Sequence, residues 1–306
     1  MRRPPFPPHE RPVEAASYRL TIEYDGTAFS GWQDQKNART VVGEIKRALE
    51  DAGHPALDLG GAGRTDAGVH ALAQVAHLRL ARRTDPAGLA NALNHRLPGS
   101  IHVLAVEPAA PGFHARHDAV TRSYLYQLSR RRTAFAKRFV WWVKEPLDLG
   151  RIAEAASLLP GRHDFALFAE RAEAQTSTLV ELKDVEIAEQ GALVLVRVVA
   201  SHFLWRMVRR LVGTLVEVGK GNLEPADVAS LLAVAPLPAA KGQPAQWTAP
   251  ASGLFLERVL YGPDEELPPL ASPFPVAAAP APSLVARKEK GRRLRRPSSV
   301  KPRSRA

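Results

Sequence analysis

A repeated order of predicted strands and helices most constrains the fold of this 306-residue chain. Alternating apolar and polar residues indicate strands, and apolar residues three or four positions apart indicate helices. Two stretches of the chain each give the order β-α-β-β-α-β, the ferredoxin-like pattern that RNA-recognition domains also use. We therefore predict an α+β fold of two tandem ferredoxin-like domains with a cleft between them.

The predicted domains cover residues 17–111 and 112–262. In the first, the predicted strands are Tyr18–Tyr24, Leu57–Leu59, Gln74–Leu80 and Ile101–Val106, and helices begin at Thr40 and Asp85. In the second, the predicted strands are Val120–Leu128, Glu181–Ala188, Leu193–Ala200 and Leu254–Leu260. Its predicted helices are one that begins at Asp148, a long one over about Ser201–Gly219 and a shorter one after Pro225. A proline-rich leader over 1–16 and a tail over 263–306, first rich in proline and alanine and then basic, are expected to be disordered.

The composition excludes several kinds of site. The chain has no cysteine, which excludes disulfides, thiolate metal sites and cysteine nucleophiles and suits a reducing compartment. The sequence shows neither a signal peptide nor an apolar run long enough to span a bilayer, so we expect a cytoplasmic protein.

The positive charge is unevenly distributed along the chain. Of the net charge of +11, residues 287–306 carry +9 (ten Lys or Arg and one Glu), which leaves +2 on residues 1–286. Within the predicted domains, residues 114–138 contain seven Lys or Arg against one acid, Asp118. A basic stripe of this kind fits the phosphate backbone of a nucleic acid.

A glycine-rich stretch over residues 60–71 predicts a functional loop between two strands. Four of its first nine residues are glycine, which disfavours both helix and strand. Asp66 lies among these small residues with Arg64 two positions before it, and a carboxylate in such a setting is a candidate for nucleophilic or acid–base chemistry. The stretch lacks the lysine of a phosphate-binding P-loop, and Asp66 occupies the place of the third glycine of a dinucleotide fingerprint.

Residues 63–71, Gly-Arg-Thr-Asp-Ala-Gly-Val-His-Ala, resemble the signature of the TruA-type tRNA pseudouridine synthases, in which the aspartate is the essential catalytic residue. Four further segments resemble the same family in the expected order. They are Phe113-His114-Ala115-Arg116, Arg122-x-Tyr124-x-Tyr126, Met207-Val208-Arg209 with Val212-Gly213, and Gly253-Leu254. The resemblance runs from about Tyr18 to Tyr261.

The resemblance implies a role for each candidate site residue. Asp66 is the catalytic residue, Arg209 approaches it, and Arg64 helps to orient it, since a nearby cation favours an ionised carboxylate. Tyr124 and Leu254 are expected to sandwich the target uracil. The resemblance further implies isomerisation of uridine at tRNA positions 38, 39 and 40, a homodimer, and no cofactor or metal.

The sequence also departs from the family at the start of the long predicted helix. Trp205 and Arg206 stand where relatives often carry histidine, and Arg210 stands where asparagine is usual. We expect the details of RNA contact to differ there.

Two other functions stay open on the residues alone. Tandem RNA-recognition-like domains are compatible with an RNA-binding protein that has no catalytic activity. Asp25 follows a predicted strand, as in phosphatases of the haloacid dehalogenase type, although the attacking aspartate of that motif would fall on Glu23. His114 and His117 have a spacing that suits a metal, but no third ligand lies near them in the sequence.

Overall fold

The structure is a computed structural model that describes residues 15–170 and 177–278. Its strands are β1 (Ala16–Tyr24), β2 (Ala56–Gly61), β3 (His70–Leu80), β4 (Ile101–Pro108), β5 (Thr121–Ser129), β6 (Trp141–Trp142), β7 (Gly161–Asp164), β8 (Leu179–Gln190), β9 (Leu193–Ala200) and β10 (Leu254–Leu260). Its α-helices are α1 (Val41–Asp51), α2 (Pro86–Asn94), α3 (Leu149–Ser157), α4 (Met207–Gly219) and α5 (Pro225–Leu232).

All strands of the described chain belong to one mixed sheet. The strand order is β4-β1-β3-β10-β5-β9-β8-β7, with β2 also paired to β3 and β6 to β5. The last strand in sequence, β10, runs parallel to β3 and antiparallel to β5. Because β10 joins a strand from each half of the chain, the two halves share a continuous sheet rather than two separate ones.

The central strands are buried on both faces. On β5, Tyr124 and Tyr126 pack in the same cluster as the buried faces of the helices, while Leu125 belongs to a second cluster with Leu193 and Phe255. Successive side chains of a strand point to opposite faces, so the second cluster lies on the face away from the helices. This double burial explains why all nine residues of β5 are buried.

The predicted helix starts at Thr40, Asp85 and Asp148 are confirmed by their hydrogen bonds. Each of these side chains accepts a hydrogen bond from a backbone N–H three residues later, which satisfies a donor that the helix itself leaves unpaired. Residue type and spacing were therefore sufficient to locate these helix starts.

The predicted start of the long helix at Ser201 is wrong, because α4 begins at Met207. Arg206 has a left-handed backbone (φ 60°), which interrupts a right-handed helix. Tertiary contacts hold the preceding residues out of the helix. The Trp205 carbonyl accepts a hydrogen bond from the N–H of Glu170 (3.0 Å), and the ring of Phe203 packs edge-on against Tyr124 (4.9 Å between centroids).

The strands also differ in detail from the prediction. β3 begins at His70 rather than Gln74, and the short strands β6 and β7 were not predicted. Segments of two and four residues are too short to give a clear alternating pattern.

The packed chain extends beyond the expected boundary at residue 262. Residues 263–278, predicted as the beginning of a disordered tail, lie against the second cluster, where Val276 is buried and its carbonyl accepts a hydrogen bond from the N–H of Ala192 (2.8 Å). Phe274 stacks on Phe139 with ring centroids 4.1 Å apart. The prediction failed here because proline and alanine enrichment does not reveal contacts made with distant strands. The predicted leader, apart from residues 15 and 16, and the remainder of the predicted tail lie outside the described residues.

Candidate active site

The glycine-rich loop connects β2 to β3 and is held by the chain that follows β1. The N–H of Trp32 donates to the carbonyl of Thr65 (3.1 Å), and the N–H of Gly68 donates to the carbonyl of Phe29 (3.3 Å). Gly31 has φ +96°, and a Cβ there would lie 2.5 Å from the Thr65 carbonyl oxygen. Only glycine allows this close approach of the two backbones.

Buried polar side chains fix the loop on the N-terminal side of Asp66. The hydroxyl groups of Tyr24 and Thr65 share a hydrogen bond of 2.8 Å, and Gln74 donates to the carbonyl of Gly63 (2.8 Å). Tyr24, Thr65 and Gln74 are all buried, and burial raises the pKa of Tyr24 well above its usual value. The tyrosine therefore stays protonated, and the backbone before Asp66 has a defined position.

Asp66 forms an ion pair with Arg209 of α4. Nη1 of Arg209 donates to Oδ2 of Asp66 at 3.2 Å, and Nε of the same guanidinium donates to the carbonyl of Ala249 at 2.7 Å. The side chains of Asp66 and Arg209 retain 23% and 17% of their accessible surface. The carboxylate is thus held in a fixed orientation and still reaches solvent, as a group that meets a substrate must.

Tyr124 lies beside this loop on β5. Its side chain is buried, and a Cβ placed on Gly63 would lie 3.6 Å from its hydroxyl oxygen. Burial raises the pKa of Tyr124 far above its usual value, and the negative charge of Asp66 acts in the same direction. The hydroxyl is therefore protonated at neutral pH, and no described residue forms a hydrogen bond with it.

Leu254 and Arg64 complete the set of predicted site residues. Leu254 begins β10 opposite Tyr126 and is buried, and its neighbour on the same face, Leu256, lies opposite Tyr124. Arg64 is exposed and has no hydrogen bond or ion pair with another described residue. The fold thus brings Asp66, Arg209 and Tyr124 together, places Leu254 nearby on β10, and leaves Arg64 exposed.

Arg122 belongs to the basic stripe over residues 114–138 but is not available to a phosphate. It is buried, and its Nη atoms donate to four carbonyl oxygens, those of Ala62 (3.3 Å), Arg116 (2.5 Å), Ala119 (2.8 Å) and Ser201 (2.7 Å). These bonds tie the glycine-rich loop to the segment before β5 and to the segment after β9. The sequence does not reveal this role, because every residue type can supply a backbone carbonyl as acceptor.

Asp25, the residue of the phosphatase alternative, is engaged in local contacts. Its Oδ1 accepts hydrogen bonds from the N–H and the hydroxyl of Thr27 (2.9 and 2.5 Å), and His70 and Arg138 lie within 3.4 Å of the carboxylate. Burial opposes ionisation of Asp25, but these partners outweigh burial and hold its pKa below the usual value.

Neither a metal centre nor a membrane-spanning element is found in residues 15–170 and 177–278. No group of three or more His, Asp or Glu side chains in these ranges is arranged to hold a metal ion. No helix there combines the length and the apolar character needed to cross a bilayer.

Comparisons with known proteins place this geometry in context. A family model described as tRNA pseudouridine synthase matches residues 20–118 and 155–262. Both matched ranges include segments of the site, since the first contains Asp66 and the second contains Arg209 and Leu254.

Curated relatives match over most of the chain. The tRNA pseudouridine synthase A of Beijerinckia indica is 42% identical over 84% of this chain and 98% of its own length. The protein of the same name from Rhizobium meliloti is 39% identical over 80% of this chain and 99% of its own length. That from Paramagnetospirillum magneticum is 41% identical over 80% of this chain and 94% of its own length.

Proposed function

The chain belongs to the tRNA pseudouridine synthase family, and on that premise we propose that it isomerises uridine at positions 38, 39 and 40 of the tRNA anticodon stem-loop. Membership of this family makes it an isomerase. The observation that carries the proposal is the half-buried Asp66–Arg209 ion pair, beside which the protonated hydroxyl of Tyr124 has no partner among the described residues. The precise positions rest on the resemblance to the TruA-type enzymes.

Each candidate residue then has a role in the rearrangement. The N1–C1′ bond of the uridine breaks, the base turns, and a C5–C1′ bond forms, while the C5 proton leaves and N1 gains a proton. Asp66 acts as nucleophile or as proton acceptor, and Arg209 orients it. Tyr124 and Leu254 hold the uracil on its two sides, and Arg64, which is exposed, stabilises the displaced RNA. The base must leave the stack to reach this pocket.

The proposed architecture is a pair of ferredoxin-like domains over residues 17–111 and 112–262. The strand orders β4-β1-β3-β2 in the first half and β10-β5-β9-β8 in the second support it. When the four strands of each half are counted in chain order, both halves have the spatial order fourth, first, third, second. In this proposal, the catalytic cleft lies where β10 meets β3 and β5, between the two domains.

We further propose that the enzyme works as a cytoplasmic homodimer without a cofactor or metal. The resemblance to the TruA-type enzymes supports the dimer and the independence from cofactors, and the absence of cysteine agrees with a reducing compartment. Sedimentation equilibrium of the full chain tests the dimer, and activity after exhaustive chelation tests the independence from metal.

Tritium release from tRNA transcripts labelled at uracil C5 tests the reaction itself. We expect release by wild type, one tritium for each converted uridine, and loss of release with retained tRNA binding in Asp66→Asn. Asp58→Asn is the matched control, because it removes an exposed carboxylate on β2, and it should behave as wild type. Binding without release by wild type would favour the non-catalytic RNA-binding alternative, and conversion by Asp66→Asn would remove Asp66 from the reaction.

A further inference from the structure

A positively charged segment outside the candidate site covers residues 130–144, and we name it the basic arm. It contains six Lys or Arg and no Asp or Glu. These are Arg130, Arg131, Arg132, Lys137, Arg138 and Lys144. Arg130 pairs with Glu189 and Arg138 with Asp25. The other four cations have no acidic partner among the described residues. The arm therefore presents uncompensated positive charge.

The base of the arm is fixed to the body of the protein. Ala136 and Val140 are buried in the second cluster, and the N–H of Phe139 donates to the carbonyl of Ala136 (2.8 Å). The ring of Phe139 stacks on Phe274 at 4.1 Å. The arm is thus a structured element with a defined outer side.

Phe135 is the most exposed large apolar side chain in the described chain, at 98%. It directly precedes the buried Ala136, whose N–H donates to the hydroxyl of Thr133 (3.3 Å) and closes the turn that directs Phe135 outward. Burial of a phenylalanine is favourable, so full exposure at a fixed turn leaves a ring available for a ligand. A flat ring among cations is the combination that binds unpaired nucleic-acid bases.

A second aromatic residue on the arm contacts two of its cations. Trp142 is 37% exposed, and the charged groups of Arg132 and Lys144 lie 5.9 and 5.6 Å from the centroids of its rings. Such contacts hold long side chains near one position without neutralising their charge. Both cations therefore remain able to bind phosphate.

The arm contacts two of the chain segments that supply the candidate site, the β2–β3 loop and the start of β10. The carbonyl of Arg138 accepts a hydrogen bond from Nε2 of His70 (3.0 Å), which directly follows the loop of Asp66. The hydroxyl of Ser252 donates to the carbonyl of Val140 (3.4 Å), and Ser252 lies two residues before Leu254. The arm is therefore joined to chain that leads into the candidate site, although its base lies in the second cluster.

We propose that the basic arm binds the substrate RNA outside the catalytic pocket, with Phe135 stacking on an unpaired base and Arg132 and Lys137 contacting phosphates. This proposal rests on the proposed function, because it takes tRNA as the ligand. It adds a binding element that does not take part in the chemistry.

Binding and turnover of an unmodified tRNA transcript by the full chain test the proposal. We expect Phe135→Ala to raise Kd and KM roughly tenfold, with kcat retained, and Phe135→Trp to restore both, since stacking tolerates any aromatic ring. Leu104→Ala, at a half-exposed apolar side chain on β4, is the control and should match wild type. Removing the charges of Arg132 and Lys137 together should reduce the slope of log Kd against log salt by roughly one for each residue.

Wild-type affinity in Phe135→Ala would overturn the proposal. A change of oligomeric state in Phe135→Ala, with unchanged RNA affinity per protomer, would also overturn the proposal. It would assign the arm to a contact between copies of the chain. A failure of the proposed function has a different signature. In that case wild type releases no tritium, while the effect of Phe135→Ala on tRNA binding remains.

Discussion

Arg209 on α4 donates a hydrogen bond to Asp66 in the β2–β3 loop across 143 residues of sequence, with Nη1 and Oδ2 3.2 Å apart. The same guanidinium is anchored by the carbonyl of Ala249 at 2.7 Å. One side chain therefore ties together the loop, the helix and the segment that enters β10. The orientation of the candidate catalytic carboxylate depends on the packing of all three.

Arg209→Ala should lower kcat for pseudouridine formation about 100-fold, the scale on which one preorganised charge-assisted donor contributes to catalysis. Arg209→Lys should give an intermediate rate, because an ammonium keeps the charge but cannot reproduce the fork that reaches Asp66 and Ala249 together. Single-turnover tritium release measures both effects separately from tRNA binding.

Arg258→Ala is the matched control for Arg209, since Arg258 is an exposed arginine on β10. It should retain the wild-type rate. A wild-type rate in Arg209→Ala as well would show that the ion pair with Asp66 is incidental to the reaction.

The stability of the protein should fall on acidification through His70. Nδ1 of this buried ring accepts a hydrogen bond from the N–H of Gly26 (3.1 Å), so Nε2 carries the proton and donates to the carbonyl of Arg138 (3.0 Å). Burial lowers the pKa of His70 below its ordinary 6.5, although the nearby Asp25 opposes this. The unfolded chain thus binds a proton at a higher pH than the folded chain.

Stability therefore rises with pH while the unfolded state holds more protons, and it declines as pH falls below about 6.5. His70→Asn keeps an acceptor for Gly26 and removes the titrating ring. We expect thermal melts between pH 7.5 and 5.5 to show a smaller loss of Tm in His70→Asn than in wild type. His102→Gln, at an exposed histidine on β4, controls for loss of a histidine. An equal loss in all three proteins would contradict the assignment.

The two carboxylates around Arg197 should differ strongly in their contribution to stability. Arg197 is buried and bonds Glu257 through Nε (2.8 Å) and Nη2 (2.6 Å), while its Nη1 bonds Glu186 (2.9 Å). Glu257 is buried, whereas the side chain of Glu186 is 39% exposed. Removing a partner from a buried charge leaves that charge uncompensated, which is far more costly than the loss of a surface pair.

Glu257→Gln should lower the free energy of unfolding by about 3–5 kcal/mol, and Glu186→Gln by roughly 1 kcal/mol or less. Urea unfolding at constant pH measures both. Equal effects of the two substitutions would mean that the bond to Glu257 does not stabilise the junction of β5, β9 and β10 in the way its burial indicates.

Two truncations should have different consequences. Ending the chain at residue 262 removes Val276 from the second cluster, the Phe274 ring from Phe139 and Phe255, and the Pro268 carbonyl from Arg197 (2.8 Å). It should destabilise the protein by roughly 3 kcal/mol or more. Ending it at residue 278 keeps these contacts and should retain the wild-type Tm.

The shorter truncation, at 278, also removes the basic residues over 287–306. We expect it to flatten the salt dependence of tRNA binding and to leave the converted positions unchanged, since phosphate contacts carry no sequence information. Primer-extension mapping of pseudouridine checks the positions. A changed pattern would make residues 279–306 part of the recognition surface.

Local rules predicted local structure well. Thr40, Asp85 and Asp148 could be recognised as helix caps because each bonds a backbone group only three residues away. The start of α4 at Met207 could not, since the left-handed Arg206 and the contacts of Trp205 and Phe203 involve partners remote in sequence. The position of β10 between β3 and β5 likewise depends on pairing between distant strands.

By itself, the sequence determined the α+β class, most strands and helices, and, through its resemblance to one family, the candidate residues Asp66, Tyr124, Arg209, Leu254 and Arg64. Tertiary structure decided which of them meet, because the Asp66–Arg209 contact requires a loop and a helix from opposite halves of the chain. It also buried Arg122, one of the seven basic residues of the stripe over residues 114–138, where it anchors four carbonyl groups. The physical reason is the same throughout. Short-range hydrogen bonds and hydrophobic periodicity depend on residues that are close in the sequence, whereas burial and charge pairing arise only when the chain has folded.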